Sequence, residues 1–355
     1  MCHITYVTHH GAWFRLQCCV AMCLLAASRP LDAAETAAVP DLPLEEILVS
    51  GDYPGPGLWR VSKPDDGEHV MWIFGALGAE PTALRWKSRQ VENIVMESQE
   101  IIHADQSNLS FDFGMFTMLR YMPAALRARK NPGDRTLGEV LPGGVYARWR
   151  VLKAEYIGSD AGIEKWRPLM VADQLRKKAE RKLAPKFSGN QWAPINQLIQ
   201  RRKLRVTTPI FEVKIPDENL RSSMQSFLAS PLNDVECLDV TMKLVEFWSD
   251  DETIGARAMA WARGDLPALR ALRPSPDPAD LCMAALLNSQ AVRDLHLREI
   301  DDVPARRNQL WLEAVDRALA ANRSTLAILP IDELLKEDGK LALLRAKGYR
   351  VEGPI

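Results

Sequence analysis

The side chains that could support hydrolytic or metal chemistry are few in this sequence. Beyond residue 33 the chain has three histidines, His69, His103 and His296. His103 lies two residues before Asp105, and a histidine next to a carboxylate can act as a general base. A strand-end histidine more commonly makes ordinary hydrogen bonds, and we favour that interpretation here.

Motifs for nucleophilic or phosphate chemistry are absent from the sequence. It has no Gly-x-Ser-x-Gly, phosphate-binding P-loop, Cys-x-x-Cys or His-Glu-x-x-His motif. The acidic pair Asp332–Glu333 follows an apolar strand candidate. We interpret Asp332 as a helix cap and Glu333 as a favourable charge in the first helical turn, in preference to metal ligands.

The stretch "MWIFGALGAEP", residues 71–81, resembles a buried strand that ends in a glycine turn. Loops that leave strand ends commonly carry reactive side chains. This one offers only small or apolar residues, from Gly75 to Ala79. The turn therefore offers no reactive side chain.

The first 33 residues have the pattern of a secretory signal peptide. An apolar run from Leu16 to Ala27 follows Arg15, and small residues follow at Ala33 and Ala34. We expect cleavage near Ala34, a flexible leader at 34–43 and one domain over 44–355. An N-terminal membrane anchor is the alternative. No later apolar run reaches 18 residues, which predicts a periplasmic or secreted protein with no integral membrane segment after cleavage.

The charge and the cysteine content indicate which partners and which bonds to expect. Removing residues 1–33 leaves 43 basic and 45 acidic residues, a net charge of −2, which argues against nucleic acid as a partner. Four of the six cysteines precede residue 34, which leaves Cys237 and Cys282. In an oxidising compartment two cysteines predict one disulfide; two buried thiols are the alternative.

The periodicity of apolar residues predicts an α/β (α+β) fold. Strands are predicted at 44–51, 58–63, 68–75, 100–104, 204–215 and 324–330, and helices at 88–99, 116–130, 137–156, 165–183, 191–203, 237–248, 252–264, 266–273 and 305–323. A final helix and a short strand close the chain. We expect a central mixed sheet built from N- and C-terminal strands and surrounded by a large helical middle.

Several of these stretches together resemble one known family. They are "GLWRV", "MWIFGALGAEPTALRWKSRQVENIV", "RTLGEVLPGGVYARW", "WARGDLPALRAL" and "RRNQLWLEAVDRALA" with "STLAILPIDELLKEDGKLALLRAKGYRVE". They resemble TraB/GumN proteins over about residues 57–352. That resemblance implies a Tiki/erythromycin-esterase-like superfamily, in which Tiki is a metal-dependent protease.

The family's catalytic pattern is two Gly-x-x-His motifs and a glutamate at strand ends, and this sequence departs from it at all three positions. Gly78 replaces the first histidine, Ala104 replaces the glutamate, and Glu333 replaces the second histidine. Catalytic residues are therefore predicted to be absent. The candidate cleft residues are Gly75, Gly78, Glu97, Glu100, Asp332 and Glu333.

The resemblance and the departures together predict a catalytically degenerate protein without a cofactor. It would bind an unknown ligand or an envelope protein, or act as a structural partner in an envelope assembly. The alternative is a metal-dependent hydrolase or peptidase in which Glu97, Glu100, Asp332 and Glu333 form a rebuilt carboxylate site for a divalent metal such as Mn or Co.

Overall fold

The structure, a computed structural model, describes residues 3–4, 55–78, 81, 84, 86–112, 115–187, 192–216, 220–229, 232–273, 278–293 and 302–354. The predicted leader at 34–43 and the predicted strand at 44–51 lie outside these residues, as does the predicted signal peptide apart from residues 3–4. His296 lies outside them as well.

Nine strands are present among the residues that the structure describes. They are β1 (His3–Ile4), β2 (Leu58–Ser62), β3 (Val70–Ala76), β4 (Glu100–His103), β5 (Gln106–Asp112), β6 (Arg205–Thr207), β7 (Ile210–Pro216), β8 (Ser324–Pro330) and β9 (Arg350–Glu352). Six of them form the central sheet, in the order β6-β4-β8-β3-β2-β9. Strands β6, β4, β8 and β3 run parallel, and β2 pairs antiparallel with both β3 and β9.

The two ends of the chain therefore meet in one sheet, as the sequence predicted. The N-terminal strand β3 pairs along its whole length with the C-terminal β8, from Val70–Ser324 to Ala76–Pro330. The apolar runs of these strands are buried on both faces, which is the environment that parallel strands require. The predicted mixed sheet built from both ends of the chain is confirmed.

A smaller sheet continues from one side of the central sheet. Strand β5 follows β4 almost directly and pairs parallel with β7, and β1 pairs antiparallel with β5. The sequence predicted one strand over 204–215, but the structure divides it into β6 and β7 at Thr208–Pro209. Proline has no backbone N–H to donate to a ladder, so a break at this position is expected.

Fifteen α-helices complete the described part of the chain. They are α1 (Arg89–Glu97), α2 (Met115–Ala128), α3 (Leu137–Val140), α4 (Gly143–Leu152), α5 (Pro168–Leu183), α6 (Ala193–Arg202), α7 (Leu220–Ala229), α8 (Val235–Ser249), α9 (Asp251–Arg263), α10 (Leu266–Ala271), α11 (Pro278–Leu287), α12 (Gln290–Arg293), α13 (Val303–Ala321), α14 (Ile331–Leu335) and α15 (Lys340–Ala346). None of the helices in the described residues is long and apolar enough to cross a membrane.

One predicted helix is divided in the structure. The sequence predicted a single helix over 137–156, whereas α3 ends before Leu141, which is extended, and α4 begins after Pro142. Proline disfavours a helical conformation in the residue before it and cannot donate a helical hydrogen bond. A π-helical turn at Lys153–Ile157 then follows α4.

The apolar side chains form two cores. One lies against the central sheet and includes Trp261 and Trp311, both almost fully buried. The other lies among helices α3, α4, α5 and α8, with Trp149 at its centre. The helical middle of the chain thus has a hydrophobic core separate from the one that packs on the sheet.

A buried arginine joins several of these helices. The Arg167 guanidinium donates from Nε to the Ala128 carbonyl (3.1 Å) and from Nη2 to the Phe227 carbonyl (2.5 Å). It also lies 4.7 Å over the Phe227 ring. Arg167 therefore fastens the end of α2 and the end of α7 to the start of α5, in a place where a buried guanidinium needs several acceptors.

Asp234 lies in the same buried region. Its Oδ2 accepts a hydrogen bond from the Leu169 N–H (2.8 Å), at the first turn of α5. Burial raises the pKa of the Asp234 carboxyl, and the nearby Arg167 charge opposes that rise; the resulting pKa is about 6. Asp234 and Arg167 therefore connect helices α2, α5, α7 and α8 through polar contacts inside the protein.

Candidate functional site

The carboxyl ends of three neighbouring parallel strands meet at one edge of the central sheet. Strand β8 lies between β4 and β3, and all three run in the same direction. The segments that follow these strands begin at Ala104, Leu77 and Ile331. Ligand sites of open α/β sheets lie at this edge, so the three segments define the candidate site.

Gly75 lies at the end of β3, under the short helix α14. A Cβ atom at this position would be 2.4 Å from Ile331 Cδ1 and 3.2 Å from Leu334 Cδ1. The Gly75 carbonyl accepts a hydrogen bond from Trp261 Nε1 (2.8 Å). The glycine therefore allows α14 and Trp261 to approach the strand closely, and its role here is packing.

Aromatic rings fill the space beside this strand end. The Phe74 ring stacks on Trp86 at 5.4 Å between centroids and meets Trp192 edge-on at 5.1 Å. Trp86 in turn meets Trp261 edge-on at 5.2 Å. Such pairs stabilise a core beyond their buried area, and they surround the end of β3 with apolar side chains.

The end of β4 carries a different group of side chains, centred on Asp105. Its Oδ2 accepts from Arg307 Nε (2.8 Å), and its Oδ1 forms an ion pair with Lys340 Nζ. Lys340 Nζ also donates to Asn308 Oδ1 (2.7 Å) and lies 5.2 Å over the Trp311 ring. We call Asp105, Arg307, Asn308 and Lys340 the Asp105 cluster.

Two members of the Asp105 cluster, Asp105 and Lys340, are buried, so the attraction between their charges is strong. The side chains of Asp105 and Lys340 are only 3% and 5% exposed. Burial raises the pKa of the Asp105 carboxyl, but the charges of Lys340 and Arg307 together lower it below its usual value. Burial also lowers the pKa of Lys340, against the opposing effects of Asp105 and Glu333. The carboxylate is therefore held ionised by two cations of the protein itself.

The two acidic residues after β8 are each paired with a cation. Asp332 Oδ1 accepts from Arg257 Nη2 (2.7 Å), and this buried guanidinium also donates to the carbonyls of Leu269 and Leu272. Glu333 pairs with Lys336. The prediction that Asp332 caps the following helix is wrong, because its carboxylate connects α14 to α9 instead. Glu333 does lie in the first turn of α14, as predicted, and Asp332 lies in the same turn.

The rebuilt carboxylate site is not assembled in this structure. Glu97 ends α1 and is exposed, and Glu100 begins β4, where its carboxylate accepts from Thr207 Oγ1 and from Asn322 Nδ2 (2.9 Å). Glu100 pairs in register with Thr325, near the start of β8. Glu97 and Glu100 therefore lie at the opposite edge of the sheet from Asp332 and Glu333.

The histidines do not form a shared centre among the described residues. His69 Nδ1 contacts Asp66 Oδ2 (2.8 Å) in the turn between β2 and β3. His103 is the last residue of β4 and is partly buried. The carboxylate oxygens of Asp105, the acidic residue of the His-x-Asp pair, contact Arg307 and Lys340. The sequence favoured a structural role for His103 over a general base paired with Asp105, and these contacts of Asp105 agree with that preference.

The side chains at the three positions where the sequence resemblance places the family's catalytic residues do not fit a metal centre. Gly78 has no side chain, Ala104 offers no donor atom, and Glu333 is paired with Lys336. Asp105, which follows Ala104, already has Arg307 and Lys340 on its oxygens. Within the described residues no set of three histidine, cysteine, aspartate or glutamate side chains could hold a metal ion. A metal site needs about three such ligands, and two protein cations would repel the ion.

Three residues of the Asp105 cluster, Arg307, Asn308 and Lys340, were not found from the sequence. Arg307 lies in the first turns of α13 and Lys340 begins α15, 202 and 235 positions after Asp105. A lysine at a helix start and an arginine beside an asparagine are common surface patterns, so no local signal marks them as buried. They come together only because the fold places α13 and α15 next to the end of β4, where the side chains of Arg307 and Lys340 contact Asp105.

A groove of about 420 Å³ lies elsewhere on the protein. Its lining residues are Lys63, Pro64, Asp65, Asp66, Lys347, Gly348 and Tyr349. They belong to the turn between β2 and β3 and to the turn before β9, at the edge of the sheet opposite the Asp105 cluster. This groove therefore contains none of the candidate site residues.

The close packing at Gly75 gives a testable prediction. Gly75→Ala should lower the free energy of unfolding by about 1–3 kcal/mol, because its methyl group would overlap Ile331 Cδ1. Ile331→Val removes that atom, so the double variant should be less destabilised than the sum of the two single variants. Urea unfolding of the four proteins measures both effects.

Gly144→Ala is the matched control, because no atom lies within 4 Å of its would-be Cβ and Gly144 is helical. That variant should be neutral or slightly more stable. Equal effects of Gly75→Ala and Gly144→Ala, or strictly additive effects with Ile331→Val, would contradict the packing role of Gly75.

Comparison with known proteins gives one match. The model of the TraB/PrgY/gumN family matches residues 57–353, which is more than half of the chain. No curated protein and no solved structure matches this chain. The matched region begins just before β2 and ends just after β9, so it covers the whole central sheet and the three strand ends of the candidate site.

Proposed function

The chain belongs to the TraB/PrgY/gumN family, and we propose that it is a secreted or periplasmic member that binds a ligand or an envelope protein without metal-dependent hydrolysis. Fold membership alone does not carry an activity, because activity resides in particular side chains. The proposal therefore rests on the residues at the three strand ends.

The observation that carries the proposal is the pairing of Asp105 with Lys340 and Arg307. In a metal centre of this kind a carboxylate at the strand ends would share its oxygens with the ion. Here both oxygens contact protein cations, and the ammonium and guanidinium groups already compensate the charge. A metal ion would have to displace Lys340 and Arg307 from Asp105, and the charges of these two side chains would then be unpaired.

Secretion is supported by separate features of the chain. The first 33 residues have the sequence pattern of a signal peptide, and the two cysteines that follow them, Cys237 and Cys282, are joined in a disulfide. Disulfides persist in oxidising compartments such as the periplasm and the cell exterior. A binding or envelope-associated protein would act in such a compartment.

Metal analysis tests the proposal. Purified protein should retain no stoichiometric metal after dialysis, and calorimetric titration with Mn²⁺, Co²⁺ and Zn²⁺ should show no one-to-one site. The physical reason is the lack of donors at Gly78 and Ala104 together with the cations on Asp105. Elemental analysis and calorimetry measure the two quantities directly.

Two variants give the titration its control. Glu333→Ala removes the one family position that still carries a carboxylate, and Glu337→Ala removes an exposed carboxylate four residues later, beyond the end of α14. One bound metal ion that is lost in Glu333→Ala and kept in Glu337→Ala would overturn the proposal and support a metal-dependent hydrolase instead.

A further inference from the structure

Helix α2 presents an apolar stripe on its outer face. Leu119, Met122 and Leu126 are 53%, 43% and 51% exposed. At about 100° per residue, positions 119, 122 and 126 fall within about 60° of one another on the helix surface. Single exposed apolar residues are ordinary, but three that adjoin on one face indicate a contact surface. We call these three residues the α2 stripe.

The helix that carries the stripe is held firmly by the rest of the protein. Its far side packs on α7, and Ala128 at its C-terminal end is buried. The buried Arg167 donates to the Ala128 carbonyl on α2 and to the Phe227 carbonyl on α7. The Arg167 N–H also donates to the Arg129 carbonyl (2.7 Å). The α2 stripe therefore faces outward from a fixed helix.

The charged residues within the segment that carries the α2 stripe are all basic, although Lys130 at its end pairs with Asp134 (3.2 Å). The segment 113–130 contains four basic residues, Arg120, Arg127, Arg129 and Lys130, and no acidic residue. Arg127, Arg129 and Lys130 are exposed. The whole chain has a net charge of −1, so this basic segment contrasts with the remainder. An apolar stripe beside basic side chains complements a membrane surface that carries negative lipid headgroups.

A second copy of the chain is a less suitable occupant. In a symmetric dimer the same patch faces itself, so the basic side chains beside one α2 stripe would lie close to those of the other. Like charges at such an interface oppose association. A lipid surface provides both the acyl boundary for Leu119, Met122 and Leu126 and the opposite charge for Arg127. We propose that the α2 stripe docks the protein on an anionic lipid bilayer.

Vesicle co-sedimentation tests the proposal with the full chain. Wild-type protein should bind vesicles that contain phosphatidylglycerol at least about tenfold more strongly than vesicles of phosphatidylcholine alone. The variant L119S/M122S/L126S should lose at least about tenfold of that binding. Arg127→Glu should lower binding only to the anionic vesicles, and more so at low salt.

Matched controls separate the stripe from general effects. M96S/V151S/V206S also replaces three exposed apolar residues, which are 52%, 68% and 49% exposed, but they lie on α1, α4 and β6. Arg181→Glu reverses an exposed charge in the last turn of α5. Both controls should bind vesicles as wild type does, and circular dichroism should show equal helix content in every variant.

Three outcomes would overturn the proposal. They are the absence of binding to anionic vesicles, equal binding by L119S/M122S/L126S and wild type, and equal loss in the control variant M96S/V151S/V206S. Analytical ultracentrifugation adds a fourth: self-association of the wild type that L119S/M122S/L126S abolishes would assign the stripe to a second copy of the chain.

Discussion

Replacing Asp105 with alanine is expected to lower the free energy of unfolding by about 3–5 kcal/mol at neutral pH. The substitution leaves the buried Lys340 ammonium without its carboxylate and removes the ion pair with Arg307. An unpaired buried charge costs far more than the pair contributes, because the ion remains desolvated. Urea unfolding followed by circular dichroism measures the difference.

The difference in the free energy of unfolding between wild type and Asp105→Ala should decrease at acidic pH. The pKa of Asp105 is lowered in the folded protein, so its contribution to stability is present above the unfolded pKa of about 3.9 and is lost as the pH falls through the folded pKa. The gap between wild type and Asp105→Ala should stay constant from neutral pH down to about pH 5. It should narrow below about pH 4.

Two further variants keep this prediction specific. Asp251→Ala removes an exposed ion pair with Lys186 and should cost less than about 1 kcal/mol. The double variant Asp105→Leu with Lys340→Met should be less destabilised than Asp105→Ala, because both charges of the closest pair are removed together. A cost below about 1 kcal/mol for Asp105→Ala would show that the Asp105 cluster does not stabilise the packing of α13 and α15 against the end of β4.

The second large effect is expected from the disulfide between Cys237 of α8 and Cys282 of α11. The structure bonds the two Sγ atoms at 2.01 Å across a sequence separation of 45 residues. In the chain-entropy model, replacing both cysteines with alanine should lower the free energy of unfolding by about 4 kcal/mol, because the unfolded chain regains the freedom of that loop. Unfolding with and without reductant measures this loss.

The double variant also serves as the control for the reductant. Dithiothreitol should lower the stability of the wild type to that of the double variant and leave the double variant unchanged. Thiol titration of unreduced, denatured protein that has lost residues 1–33 should find no free thiol. Two reactive thiols in that sample would contradict the pairing, and the two cysteines would then be core residues.

Several elements could be predicted from the sequence because their signals are local. The apolar runs of β3 and β8 predict buried strands, and both form as expected. The predicted helix at 266–273 begins directly after Asp265, a residue type that favours the cap position, and the Asp265 Oδ1 accepts from the Ala268 N–H (3.0 Å). Such signals depend on residues a few positions apart, so the sequence alone determines them.

Other elements depend on contacts that the sequence does not display. Strand β5 contains polar residues at positions 106–108 and was not predicted, but all three are buried beside α13 and β7. Helix α14 was predicted only as a turn, and its position over β3 is possible because Gly75 has no side chain. In both cases packing against distant segments overrides weak local preferences.

The candidate site shows the same division most clearly. The sequence alone predicted that the family positions lack their ligands, because the resemblance places them at Gly78, Ala104 and Glu333. The sequence also suggested that Glu97 and Glu100 could supply the missing carboxylate, because both are close to Ala104 along the chain. The parallel register of β4 and β8 places Glu100 near the start of β8, at the edge away from Glu333. Only the tertiary structure could decide that Lys340 and Arg307 pair with Asp105, because ion pairs depend on distance in space and these residues are more than 200 positions apart.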